Sequence, residues 1–75
     1  MTEHIVTSYD EELKDLAVKI TRMGGHAEKV LTDATQALHR HDEELAMRTI
    51  NADEQIDRLE HEIEEQAILM IAKRQ

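Results

Sequence analysis

Between Asp53 and Glu64 the chain reads DEQIDRLEHEIE. The carboxylates of Asp53, Asp57, Glu60 and Glu64 follow one another at steps of four, three and four residues. This spacing places them on one stripe of an α-helix. The adjoining stripe is apolar and consists of Leu45, Ala52, Ile56, Leu59, Ile63 and Met70. An apolar stripe of this length needs a partner helix to leave water. The acidic stripe is therefore expected to border a buried seam.

The acidic stripe is a candidate metal site. Like charges one helical turn apart repel each other, and the repulsion grows as the local dielectric constant falls. A cation would offset it, and oxygen ligands suit Mg, Mn, Ca or iron. His61 lies four residues after Asp57. It is interpreted either as a nitrogen ligand or as a surface histidine. The alternative interpretation is a solvated flank that Arg58 partly neutralises. A ferritin-like di-iron site would need Glu three residues before His, and that spacing is absent.

Composition narrows the classes of protein that fit. The 75 residues make at most one small domain, without cysteine for a disulfide or a thiolate metal site. Nine basic and seventeen acidic residues give a net charge of −8, which argues against nucleic acid and anionic membranes as partners. The N-terminal residues lack a secretion signal, and no run of apolar residues is long enough for a transmembrane segment. These features predict a cytoplasmic protein.

The first half of the chain predicts one long helix. Its apolar residues alternate steps of three and four in the manner of a coiled-coil seam. Either Thr2 caps this helix, the start that we favour, or Ser8 caps a later one. Gly24 and Gly25 keep the register and are predicted to be helical, either as a hinge or close-approach point or as a tolerated weak point. The predicted seam comprises Val6, Tyr9, Leu13, Leu16, Ile20, Met23, Ala27, Val30, Ala34 and Ala37.

A break at residues 39–42 separates this helix from a second one. Asp42 is the predicted N-cap, and acidic residues follow it in the first turn, where the helix dipole favours negative charge. Lys73 and Arg74 place positive charge at the other end. Residues 42–75 carry ten acidic and four basic residues, a net charge of −6, which makes the second helix the expected cation binder. The sequence thus predicts an all-α fold in which residues 1–75 form a single antiparallel αα-hairpin.

The sequence gives no support for catalysis. It contains no nucleophile beside a base, no glycine-rich phosphate loop and no zinc-protease motif. A metal-dependent hydrolase or oxidase would need more ligands and a placed general base. We therefore expect a protein that acts without catalysis.

Several segments together resemble the N-terminal part of the PhoU family. The most specific is Asp-x-x-Ile-Asp-x-Leu-Glu, which begins at Asp53. The others are residues 10–13, Met23-Gly24-Gly25 with Ala27-Glu28, Ala37-Leu38, Asp42 with Glu44-Leu45-Ala46, and residues 71–75. The resemblance covers nearly the whole chain.

This resemblance implies a fold and a function. PhoU proteins are cytoplasmic and consist of two similar three-helix bundles. They are negative regulators of phosphate uptake and of phosphate-starvation signalling, acting as adaptors between the ATPase of a phosphate ABC transporter and a sensor histidine kinase. Their acidic Asp/Glu-x-x-x-Asp motifs bind iron, zinc, magnesium or manganese. In this sequence the motif corresponds to Asp53 and Asp57, with Glu60 as a nearby third ligand.

The chain departs from the family pattern because it stops where a third helix would follow. We therefore expect a fragment or a truncated form, with only half of the metal ligands. A hairpin alone would leave an apolar strip exposed. We accordingly predict a homodimer in which two hairpins form a four-helix bundle. The alternative function is a structural coiled-coil-type interaction hairpin with no metal and no signalling role.

Overall fold

The computed structural model describes the backbone of residues 2–74 and the side chains of residues 8–74. Helix α1 spans Thr2–Arg40 and helix α2 spans Glu43–Lys73, and the two pack against each other as an antiparallel pair. Within residues 2–74 there is no β-strand. The predicted all-α hairpin is confirmed, and α1 begins at the earlier of the two predicted starts. The Thr2 side chain lies outside the described side chains, and so does Val6 of the predicted seam.

The turn between the helices uses local hydrogen bonds that the sequence encodes. His41 adopts a left-handed backbone conformation with φ of 54°. Its N–H donates to the Leu38 carbonyl at 3.4 Å, and the Asp42 N–H donates to the Ala37 carbonyl at 2.9 Å. This pair of bonds is the Schellman arrangement that ends many helices. Asp42 Oδ1 then accepts a hydrogen bond from the Leu45 N–H at 3.0 Å, which confirms Asp42 as the N-cap of α2.

Replacing Asp42 with Ala should lower the free energy of unfolding by about 1 kcal/mol, because the Leu45 N–H loses its acceptor. Urea denaturation followed by circular dichroism measures this change. Asp42→Asn is the matched control, since its side-chain oxygen still caps the helix and should retain most of the stability. Equal midpoints for the Ala and Asn variants would show that the cap contributes nothing.

The second helix presents the predicted seam to α1. Its contact positions repeat at steps of four and three, and all six predicted apolar residues are buried or half-buried. The polar residues Thr49 and Gln66 occupy the intervening seam positions and are also half-buried. Among the described side chains only Ala37, Ile63 and Met70 are buried, at 6%, 9% and 5% exposure. The hairpin measures 59 × 16 × 13 Å, so it is too thin to enclose a larger core.

The predicted seam of α1 is wrong at three of its positions. Leu13 and Ile20 are 42% and 48% exposed, and Ala34 is exposed as well. Three charged residues take part in the half-buried row instead, namely Glu12, Lys19 and Asp33. The apolar stripe of α1 is wider than one partner helix can cover, because two helices bury side chains only along a single line of contact. Helix α2 packs on one edge of the stripe and leaves the other edge open.

Polar side chains join the two helices at the end away from the turn. Lys19 Nζ donates to Gln66 Oε1 at 2.8 Å and lies 3.4 Å from Asp15 Oδ2. Gln66 Nε2 lies 3.3 Å from Asp15 Oδ2 and 3.5 Å from the Glu12 carbonyl oxygen. Lys73 Nζ lies 3.0 Å from Glu12 Oε1. These contacts link α1 to α2 through polar side chains, although the second Glu12 carboxylate oxygen, Oε2, is buried without a hydrogen-bond partner among the described residues.

Candidate functional site

The hairpin has one broad face that its own helices leave uncovered, and we call it the open face. Residues spaced seven apart lie on the same side of two packed helices, so this spacing identifies the residues of the open face. From α1 it includes Leu13, Ile20, Ala27 and Ala34, and beside them Ala17, Gly24, Leu31 and Leu38. From α2 it includes Ala46, Asp53, Glu60 and Ala67, and beside them Ile50, Asp57, Glu64 and Ile71. In an antiparallel pair, these rows adjoin each other.

Two shallow depressions show that the two helices contribute to the same face. Near the turn, a depression of about 450 Å³ is lined by Ala34 and Leu38 from α1 together with Ala46 and Ile50 from α2. Near the other end, Leu13 shares a second depression of about 370 Å³ with α2 residues that include Ile71. Both ends of the open face are thus mainly apolar, although Glu43 also lines the first depression and Arg74 the second.

The middle of the open face is divided between an uncharged half and an acidic half. From Leu13 to Leu38, the α1 row contains no charged residue. The α2 row carries Asp53, Asp57, Glu60 and Glu64 between its apolar ends, and all four side chains are exposed. These four residues are the acidic stripe of the sequence, and we call them the acidic band from here on. Asp53 and Glu60 directly follow half-buried seam residues, but the hairpin leaves the side chains of the whole band exposed to solvent.

The described residues do not bring a full set of metal ligands together. Among the residues that the structure describes, no three Asp, Glu or His side chains are grouped closely enough to hold an ion. Nδ1 of His61 lies 3.9 Å from Glu64 Oε2, and the His61 side chain is 80% exposed. This contact is with Glu64 and not with Asp57, the carboxylate that the sequence placed beside it. Hard cations take six or more oxygen ligands, so carboxylates from one helix would need further ligands from water or from another chain segment.

The face opposite the open face is polar. A groove there is lined by His26, Lys29, Asp33 and Gln55 above an apolar floor. Lys29 Nζ lies 3.6 Å from Asp33 Oδ2, an ion pair within α1. The sequence analysis did not identify this face, although the cationic residues Lys19, Arg22, His26 and Lys29 follow one another at steps of three and four. Neither described helix is long and apolar enough to cross a membrane.

Comparison with known proteins agrees with the resemblance found in the sequence. The PhoU domain matches residues 20–75. The chain is 48% identical over 75 residues to the phosphate-specific transport system accessory protein PhoU homolog of Caulobacter vibrioides, covering 100% of this chain and 33% of that protein. The homolog of Rhizobium meliloti is 46% identical over 72 residues, which is 96% of this chain and 30% of that protein.

A more distant relative gives the same assignment. The phosphate-specific transport system accessory protein PhoU of Escherichia coli is 36% identical over 75 residues, covering 100% of this chain and 31% of that protein. The chain spans about a third of the length of these relatives. No solved structure matches it significantly. The family match and the identity along the chain show that this protein belongs to the PhoU domain family.

Proposed function

We propose that the chain acts as a PhoU-type accessory protein in phosphate transport, and that it lowers phosphate uptake and phosphate-starvation signalling by binding other proteins in the cytoplasm. The observation that carries this proposal is the identity to relatives named as phosphate-specific transport accessory proteins, which extends along the chain. An uncovered apolar face supports action through protein contacts. The proposed partners are the ATPase of a phosphate ABC transporter and a sensor histidine kinase.

A reporter assay tests the regulatory role. In a bacterium whose own PhoU gene is deleted, expression of the chain should lower the activity of a promoter induced by phosphate starvation. Affinity purification from the same cells should recover the transporter ATPase and the kinase. An unchanged reporter, with neither protein recovered from cells that contain the folded chain, would instead favour the structural hairpin.

We further propose that Asp53 and Asp57, with Glu60 beside them, supply part of the ligand set for iron, zinc, magnesium or manganese. Support comes from their helical spacing and from their exposure on a face that a further ligand-bearing segment can approach. Carboxylate oxygens suit all four ions as ligands. The remaining ligands would be water or groups from another segment. The proposed role is to hold that segment against the open face.

Metal binding should raise the thermal stability of the chain. A cation at about ten times its dissociation constant adds roughly 1.4 kcal/mol to the free energy of unfolding, because it binds only the folded state. Melting curves with and without Mn²⁺, Mg²⁺, Zn²⁺ or Fe²⁺ measure this effect. The Asp53→Asn, Asp57→Asn double variant should lose the metal-dependent increase. The control removes the same charge elsewhere on α2, as Glu54→Gln with Glu65→Gln, and should keep it.

The proposal fails if none of the four ions raises the melting temperature of the unmodified chain. It also fails if the control and the double variant respond equally. Equal responses would mean that the rise in melting temperature reflects general screening of the net charge of −8.

A further inference from the structure

We propose that five polar residues at the end of the hairpin away from the turn set the rotation of α1 about its own axis, and so decide which edge of its apolar stripe contacts α2. We call them the polar clamp, and they are Glu12, Asp15 and Lys19 of α1 with Gln66 and Lys73 of α2. Among the described side chains, they make every hydrogen bond and ion pair that joins the two helices. The inference goes beyond the proposed function, because it requires neither a metal nor a partner protein.

The apolar pattern of α1 by itself favours a different rotation. Its unbroken seam predicts that Leu13 and Ile20 contact α2. In the structure both are exposed, at 42% and 48%, and the residues directly before them, Glu12 and Lys19, are half-buried instead. Leu16 belongs to both arrangements, so a rotation smaller than the roughly 100° between successive helical residues converts one into the other. Apolar burial does not explain the observed rotation, because the alternative would put two apolar side chains in place of two charged ones.

Gln66 provides the reason for the observed rotation. It is half-buried in the seam of α2. Its Oε1 accepts a hydrogen bond from Lys19 Nζ at 2.8 Å, and its Nε2 donates to Asp15 Oδ2 at 3.3 Å. In the alternative rotation Ile20 would replace Lys19 beside Gln66, and the amide would remain in the seam without these partners. A polar group that leaves water and finds no partner is strongly unfavourable. The amide therefore favours the edge of α1 that carries Lys19.

A second contact, near the end of α2, acts in the same direction. Lys73 Nζ lies 3.0 Å from Glu12 Oε1, and Gln66 Nε2 lies 3.5 Å from the Glu12 carbonyl oxygen. Glu12, Asp15 and Lys19 are three and four residues apart, which places them on one edge of α1. A rotation of α1 that buries its apolar stripe would move all three away from α2 together. The contacts of the clamp would thus be lost as a group.

The clamp sets orientation more than stability. Glu12 Oε2 is buried without a hydrogen-bond partner among the described residues. The side chains of Asp15 and Lys73 are 57% and 56% exposed, and solvent weakens ion pairs at such positions. Polar groups of this kind add little net stability, but they disfavour arrangements in which they would have fewer partners. Removing the clamp should therefore change the orientation of α1 without lowering the melting temperature.

Methyl-group exposure in the 75-residue chain tests the proposal. A neutral gadolinium chelate in solution enhances the NMR relaxation of exposed methyl groups. In the unmodified chain this enhancement at Leu13 and Ile20 should approach that at Ile68, which is 65% exposed, and should exceed that at Ile63 several-fold. Gln66→Leu should lower the enhancement at Leu13 and Ile20 at least about twofold, because the apolar seam then favours the alternative rotation.

Two further variants separate a positioning role from a general effect of the substitution. Gln55→Leu makes the same replacement on the same helix, at an exposed residue outside the clamp, and should leave both enhancements unchanged. Adding Lys19→Leu to Gln66→Leu gives the observed rotation an apolar pair in place of the polar one, while the contact between Glu12 and Lys73 is kept. This double variant should restore the exposure of both methyl groups, a reversal that loss of folding does not produce. Circular dichroism measures the melting temperature, which should not fall in Gln66→Leu.

Several results would overturn the inference. They are an unchanged enhancement at Leu13 and Ile20 in Gln66→Leu, an equal decrease in Gln55→Leu, and a decrease that persists after Lys19→Leu is added. An enhancement in the unmodified chain as small as that at a buried residue would also contradict it. If Gln66→Leu unfolds the chain, the clamp is required for stability and the positioning role is wrong. All measurements are made in EDTA, so failure of the metal proposal or of the phosphate reporter leaves this inference intact.

Discussion

Replacing Ile63 with Ala is expected to destabilise the hairpin by about 2–3 kcal/mol, the largest effect predicted for a single substitution here. Ile63 is 9% exposed and is one of three buried residues among the described side chains. Truncation removes three carbon atoms from the seam and leaves a gap between two helices that have no other layer to fill it. The free energy of unfolding of a 75-residue protein is typically on the order of 4–11 kcal/mol, so this loss is a large share of the total.

Thermal and urea unfolding followed by circular dichroism measure the Ile63→Ala effect. The matched control is Ile68→Ala, the same substitution on the same helix at a residue that is 65% exposed. The control should change stability by less than about 0.5 kcal/mol. Similar midpoints for the two variants would show that the α1–α2 seam is not the source of stability.

The second large effect is a gain in stability from the glycine pair. Gly24 and Gly25 lie within α1, as the sequence predicts. An added Cβ at either position would meet no atom within 4 Å in the described part of the chain, apart from its immediate helical surroundings. Replacing Gly by Ala in a helix interior contributes roughly 1 kcal/mol. The double variant Gly24→Ala, Gly25→Ala should therefore be about 2 kcal/mol more stable and melt at least about 8 °C higher.

The single glycine variants distinguish the interpretations that the sequence leaves open. Gly24 lies on the open face, and Gly25 is one residue further around the helix. If Gly24 permits the close approach of another helix, Gly24→Ala should reduce recovery of the transporter ATPase and the kinase in the affinity purification, and Gly25→Ala should not. If the pair is a tolerated weak point, both variants should gain stability and recover both proteins normally. A double variant that melts no higher than the unmodified chain would contradict the expected gain.

Local sequence determined the two helices, their ends and one of the two contact surfaces. Asp42 combines a capping side chain with acidic residues in the following turn, so it starts α2 whatever packs nearby. Unbroken apolar periodicity outweighs the low helix propensity of Gly24 and Gly25, because the seam on either side keeps its register. The seam of α2 could also be identified, because charged residues border it through the middle of the helix and leave one inward direction there.

Tertiary structure decided which edge of α1 contacts α2 and what surrounds the acidic band. The apolar stripe of α1 is wide enough to face two neighbours, and its periodicity does not say which edge α2 covers. Packing places Lys19 against Gln66 and leaves Leu13 and Ile20 on the open face. The carboxylates from Asp53 to Glu64 are exposed for the same reason, since burial depends on how many helices surround a residue and helical spacing records only its direction.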